Sequence, residues 1–345
     1  MFDELPLFAN MLIFAVLATL IWNAGTRLSY FIDAIAEKTN IARAFLGLIL
    51  LATATELPEL VTTTTASSRG NGTLALNNMF GGMLMQLLVL AIADIFVKKG
   101  TLSAQPKSPT VAIAGLLCIT SLAAVLIANV LSDFTIAFHI GIGSILIAGL
   151  YMTSMFILHS VDKRDVWSPV DLPEDKVAEK ERKNRYDEKS LKALILYALI
   201  AGIVIFFCGV FLVRLAETLA TQTGLGSSFI GATLLALSTS MPELSTSIAA
   251  VRVKAYSMAI SNVLGSNMIM VFLIFPNDLA FTNGPIINEI DTPARFALCA
   301  GIFMTGLYSI GLLTRPKRKF AGMGIDSIGI VICYFASLWI MFTLR

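Results

Sequence analysis

Apolar runs, each near the ~20 residues that a bilayer requires, alternate along the chain with short polar intervals. They lie at about 8–32, 42–66, 73–97, 110–130, 134–158, 191–219, 226–251, 256–276, 293–313 and 322–343. The pattern predicts an all-α polytopic membrane protein with ten transmembrane helices. The only long polar stretch, about 160–190, mixes charges of both signs (Glu179-Lys180-Glu181-Arg182-Lys183) and reads as a solvated linker. It divides the chain into a first five-helix half, 1–160, a linker, 161–190, and a second half, 191–345. The linker lacks the Asp/Asn/Gly spacing of an EF-hand loop.

The two halves carry copies of one pattern. A shift of 184 residues lays 45–94 on 229–278 without a gap, and fifteen of those fifty positions are identical. The matches include Gly47/Gly231, Ala52/Ala236, Thr55/Thr239, Pro58/Pro242, Glu59/Glu243, Asn78/Asn262, Gly81/Gly265 and Asp94/Asp278. Biased apolar composition alone gives ~10% matches and does not set the few polar residues opposite one another. The repeats occupy about 42–97 and 226–278. With five spans in each half, the copies enter the membrane from opposite faces, so the expected architecture is a pair of inverted-topology repeats.

Charge tests that topology. Only 14% of residues are charged, where a soluble domain carries roughly a quarter. With both termini outside, twenty Lys and Arg residues fall in the inner loops and the central linker. Arg69, Arg295 and Arg345 are the three outer ones. That asymmetry obeys the positive-inside rule and predicts a plasma (inner) membrane protein with a cytoplasmic linker. Cys118, Cys208, Cys299 and Cys333 sit in apolar spans without metal-type spacing, so neither a disulfide framework nor a zinc site is expected. No basic residue precedes the first apolar run, which argues against a secretory leader. The expected surroundings are lipid and inorganic cations, with no nucleic acid, no obligate protein partner and no cofactor.

The candidate chemistry lies within the repeats. Glu59 and Glu243 each follow a proline inside a span, and an ionisable group at that depth is a functional-site hypothesis by default. Proline removes a donor and frees the carbonyl four residues back, here Ala54 and Ser238. Thr55, Glu59 and Thr62 share a helical face, as do Thr239, Glu243 and Thr246. Packed in inverted fashion at the midplane, Glu59 and Glu243 would meet. Two carboxylates in low dielectric need a positive load: a divalent cation, monovalent cations or protons. The bland alternative, a glutamate paired with a basic residue, finds no Lys or Arg near either acid in its own span or the next. For the hydroxyls the bland alternative, a bond back to the helix backbone, stands on equal terms. Asp94 and Asp278 lie at span ends, where a structural role is expected.

The motif Thr239-Ser240-Met241-Pro242-Glu243-Leu244, followed by Gly265-Ser266-Asn267, resembles the second alpha-repeat of the sodium/calcium exchanger family, within the calcium/cation antiporter superfamily. Thr55-Glu56-Leu57-Pro58-Glu59-Leu60 with Gly81-Gly82 resembles a degraded first repeat. The resemblance implies that Glu59 and Glu243 are the central cation ligands and that the carbonyls of Ala52 and Ala236 bind sodium. It implies ligand roles for Thr55, Thr239, Ser240, Ser266 and Gln86. The chain departs from the pattern at Glu56, where the family has serine, and at Gly82 and Met270, where it has oxygen ligands. Glu56 adds a charge that can carry a proton. Met270 offers a thioether, which suits a softer metal.

The expected function is therefore a secondary antiporter, exchanging calcium or a similar divalent cation for sodium by alternating access. Proton coupling and a transport-inactive scaffold remain as alternatives. An intramembrane enzyme is disfavoured, since no Asp pair lies mid-membrane and no His-Glu-x-x-His or Gly-x-Ser-x-Gly element occurs.

Overall fold

The computed structural model describes residues 2, 4–39, 41–106, 108–162, 186, 188–222 and 240–344. Among these, nine helices are long and apolar enough to cross a membrane. The first half holds α1 (Leu7–Thr39), α2 (Ala52–Ser68), α3 (Gly72–Ile95), α4 (Thr110–Val130) and α5 (Ile142–Asp162). The second holds α6 (Leu191–Gln222), α7 (Met241–Arg252), α8 (Tyr256–Phe272), α9 (Thr292–Thr314) and α10 (Ile325–Thr343). Of the seventh predicted span, 226–251, only the stretch from Ser240 lies within the described residues. The predicted linker lies almost wholly outside them.

Two expectations need correction. The fifth span was placed at 134–158, but the helix begins at Ile142, because Thr135–Ala137 (β1) and Ile140–Gly141 (β2) form an antiparallel hairpin ahead of it. Phe134, Ile136 and Phe138 made this stretch read as membrane-spanning, yet all three side chains are exposed. The second half repeats the device with Lys319–Phe320 (β3) and Met323–Gly324 (β4) before α10. The other concerns Pro58, whose missing donor does not interrupt the helix. It sits inside α2, and the irregularity comes earlier, as a π-helical turn over Gly47–Leu51.

The helices start where local chemistry supplies orphan backbone donors with partners. Asn71 caps α3 by accepting from the Leu74 N–H at 3.2 Å, and Asp291 caps α9 through the Ala294 N–H at 2.9 Å. The helix around Tyr256–Ala280 is the most enclosed, while α1 presents most of its apolar window outward, as lipid requires. The halves are interleaved. Helix α1 crosses α7 where Gly25 meets Ser245, and α6 crosses α2 where Gly209 meets Pro58, two glycines 184 positions apart. A Cβ at either would collide with the facing helix, so each crossing depends on its glycine.

The inversion is explicit in how Asp94 and Asp278 are bonded. Asp94, at the end of α3, accepts from the Leu102 N–H (2.6 Å), the Gly324 N–H (2.6 Å) and the Ser327 hydroxyl (2.8 Å). Asp278 accepts from the Ile286 N–H (2.7 Å), the Gly141 N–H (2.8 Å) and the Ser144 hydroxyl (2.5 Å). Each acid caps the hairpin and fifth helix of the opposite half. The Asp278 cluster lies by the start of α3, where Gly72 packs on Ile286, and the Asp94 cluster lies by its end. Twenty-four residues of helix separate them, about 36 Å. The protein is thus an integral membrane protein built from two inverted repeats.

Candidate functional site

The repeat acids are buried. Glu56 and Glu59 are each 2% exposed, and Glu243 is fully enclosed. Glu56 and Glu59 lie on α2, which the π-turn sets against α8: Gly265 of α8 packs directly on Leu48 and Ala52. Glu243 lies in the first turn of α7, next to Pro242. The α7 stretch is held against α1 by the Ser29 hydroxyl, which donates to the Thr246 carbonyl at 2.8 Å.

Glu56 is the hub. The Gln86 amide of α3 donates to one of its oxygens, and the Ser266 hydroxyl of α8 lies beside it. Its carboxyl faces both Glu59 and Glu243. On the other side, Glu243 has the Thr55 hydroxyl and the Glu56 carboxyl as neighbours. Glu56, a first-copy acid that sequence symmetry alone did not favour, is thus among the neighbours of Glu243. Among the described residues, no lysine or arginine is an electrostatic neighbour of Glu56 or Glu243.

Six of the predicted site residues are thus brought together from both halves: Glu56, Glu59, Glu243, Thr55, Gln86 and Ser266. Ala52 is fully buried one turn before Glu56, and its carbonyl accepts from the Thr55 hydroxyl at 3.0 Å. Ser240 is buried at the turn that opens α7, where its carbonyl accepts from the Leu244 N–H at 3.0 Å. Ala236 and Thr239 lie outside the described residues. Thr62 and Thr246 follow the bland alternative, since both hydroxyls bond back to a proline carbonyl, at 2.6 Å and 2.9 Å, and the Thr55 bond to the Ala52 carbonyl is of the same kind.

Of the polar residues of α8, sequence reasoning gave a role to Ser266 but none to Ser261, Asn262 or Asn267. Asn262 donates to the Thr246 hydroxyl at 3.0 Å and so braces the turn after Glu243. Its carbonyl oxygen, the Ser261 hydroxyl and both polar atoms of Asn267 are buried without a partner among the described residues. The signal was available: Asn262 matches Asn78 of the first copy. Met270 marks the asymmetry of the site. Its methyl group packs against Gly82, so a thioether fills the space that two oxygen-bearing side chains would share.

Three buried carboxyl groups with amide and hydroxyl oxygens around them form an oxygen-lined, negatively charged centre. Such a centre is stable only when protons or cations offset its charge.

Known proteins share this plan. The family model described as sodium/calcium exchanger protein matches residues 9–157 and 193–343, one stretch in each half. The inner membrane protein YrbG of Escherichia coli (strain K12) is 24% identical over 96% of this chain and 97% of its own length. The putative antiporter CaxA of Alkalimonas amylolytica is 22% identical over 78% of this chain and 79% of its own. Among solved structures, the sodium-calcium exchanger NCX_Mj superposes with a TM-score of 0.73 at 17% identity, covering 97% of this chain and 99% of that one. With nearly the whole of both halves matched, the chain belongs to the sodium/calcium exchanger protein family.

Proposed function

We propose that this protein is a secondary cation antiporter that exchanges calcium, or a similar divalent cation, for sodium by alternating access. One observation carries the reading: carboxyl groups donated by the two inverted halves, Glu56 and Glu243, meet in a buried centre, and no described lysine or arginine is an electrostatic neighbour of either. Family membership and the antiporter name of the relative CaxA support it.

In this reading Glu59, Glu243 and Glu56 supply the charge. Thr55, Ser240, Ser266 and Gln86 supply neutral oxygens, and the carbonyls of Ala52 and Ala236, with Thr239, complete the set. A divalent ion and the counter-ions compete for the same carboxylates, and mutual exclusion couples their fluxes. An empty site of this charge resists passage between outward- and inward-facing states, because ions without a partner are costly in a dry interior. Flux then becomes exchange.

A second reading, exchange against protons, is favoured by one feature. Glu56 raises the carboxyl count to three, while Gly82 and Met270 withhold oxygens that sodium would need. Protons neutralise carboxylates without further ligands. Calcium uptake into proteoliposomes separates the readings. An outward sodium gradient at equal pH drives accumulation if sodium is the partner, and a pH gradient without sodium drives it if protons are. Accumulation under neither gradient would overturn both and leave the transport-inactive scaffold.

A further inference from the structure

The Asp94 end of the bundle holds a second buried acid that the cap does not require. Asp326, in the first turn of α10, is 5% exposed, and neither of its carboxylate oxygens has a hydrogen-bond partner among the described residues. The carboxylate nests against Gly311 of α9 and Gly324 of β4, where any Cβ would collide with it. From α9 the Tyr308 hydroxyl, fully buried and also without a partner, lies within electrostatic reach of both Asp326 and Asp94. The Ser103 hydroxyl and the backbone N–H groups of Asp326 and Ser327, at the start of α10, lie beside the carboxylate without reaching hydrogen-bond geometry.

The repeats supply an internal control. At the other end Asp278 makes the same three cap bonds, yet the residue matching Asp326 is Gly143. The positions corresponding to Tyr308 are Ala124 or Val125, according to whether 184 or 183 is subtracted. The neighbouring acid there, Asp133, comes from the loop, spends one oxygen on the Gly143 N–H at 2.8 Å and keeps the other buried without a partner among the described residues, with no tyrosine at the matching positions. A cap of this kind therefore works without a buried Asp–Tyr pair, and the pair answers to something else.

Charge bounds what that is. Asp94 is matched by Lys319, whose Nζ stands 3.9 Å from its carboxylate and donates to the carbonyls of Asp94 (2.8 Å) and Val97 (2.7 Å). Arg315 is turned toward the carbonyls of Ala104 and Pro106 and is not an electrostatic neighbour of Asp326. Two acids and one lysine leave one negative charge in a buried place. A single monovalent cation cancels it, whereas a divalent ion would invert it and would find too few oxygens for its usual six to eight.

We propose that Asp326, with the Tyr308 and Ser103 hydroxyls, binds one small monovalent cation, a proton or a sodium ion, separately from the centre formed by Glu56, Glu59 and Glu243. The ion locks the start of α10 onto α3 and α9. Because the site stands apart from the transport centre, its test does not depend on the proposed exchange.

The test uses the full-length protein in detergent with Glu56→Gln, Glu59→Gln and Glu243→Gln combined, so that the repeat acids contribute little to ion-dependent stability. Thermal unfolding is followed in two arms: pH lowered at zero sodium, and sodium chloride against choline chloride at fixed alkaline pH. One arm or both should raise the melting temperature, and adding Asp326→Asn should remove that component. The arm that responds names the ion. If Asp326→Asn does not fold in this background, Tyr308→Phe decides: it keeps the ring packing and should weaken the sodium response about tenfold, or move the proton midpoint to higher pH. Identical ion responses with and without these substitutions would overturn the proposal.

Discussion

Replacing Asp278 by asparagine tests the inverted architecture where it is most exactly specified. The carboxylate receives two backbone N–H groups and one hydroxyl, all at 2.8 Å or less. An asparagine offers one oxygen and turns an NH2 toward the remaining donors. Ser144 has an alternative acceptor in the Gly141 carbonyl at 3.0 Å, so its loss is small. One backbone N–H is then left facing another donor. A lost charge-assisted bond is worth about 1.5–3 kcal/mol, and a buried donor without a partner costs about 1–3 kcal/mol more. Relief of repulsion from nearby Asp133 returns about 1 kcal/mol, as for partly exposed pairs. The expected net loss is about 1.5–5 kcal/mol by equilibrium unfolding in mixed micelles. Asp94→Asn should fall in the same range, because the cap is the same. The two losses should add within about 0.5 kcal/mol, since the sites are a helix length apart. Turnover per folded molecule should stay near that of the native protein. A loss below about 0.5 kcal/mol, or strong non-additivity, would refute the reciprocal caps.

Other expectations follow from the same contacts. Gly265→Ala places a Cβ 2.5 Å from the Leu48 carbonyl oxygen, which is backbone, and should cost about 1–3 kcal/mol in unfolding experiments. Gly82→Ala meets only the mobile tip of Met270, at 2.9 Å, and should be far milder. Burial, opposed by the Gly143 N–H and aided by Asp278, holds the Asp133 carboxyl above its ordinary range. The folded protein therefore binds that proton more tightly than the unfolded chain, and this contribution to stability is lost as pH rises through the folded value. Asp133→Asn should flatten the matching part of the stability-versus-pH curve, and an unchanged curve would contradict it. Glu56→Ser removes the third carboxyl and should shift coupling toward sodium in proteoliposomes; unaltered ion dependence would show that Glu56 has no part in the choice of counter-ion.

The span count and the duplication were legible because bilayer thickness and repeat identity both act locally along the chain. The matched Asp94 and Asp278 were legible as a pair, but their partners were not. Gly324 and Ser327 lie in the other half from Asp94, as Gly141 and Ser144 do from Asp278, beyond any helical spacing. Hydropathy misplaced the start of α5 because it cannot tell an exposed apolar hairpin from a helix, as Phe138 shows. At the site, periodicity put Thr55 and Glu59 on one face and pointed to Glu59 as the partner of Glu243. Which acids come close depends on how α2 and α7 meet, and Glu56, which periodicity did not single out, is among the neighbours of Glu243. The π-turn at Gly47–Leu51 left no signal beyond a glycine, since it arises from close packing against α8.

The most direct measurement compares calcium uptake by the native protein and by Glu243→Gln, reconstituted at equal folded amounts, under an outward sodium gradient and then under a pH gradient. The account predicts accumulation by the native protein under at least one gradient, and uptake by the variant no greater than that of protein-free vesicles. Undiminished uptake by Glu243→Gln would contradict the claim that acids from the two inverted halves jointly hold the transported ion.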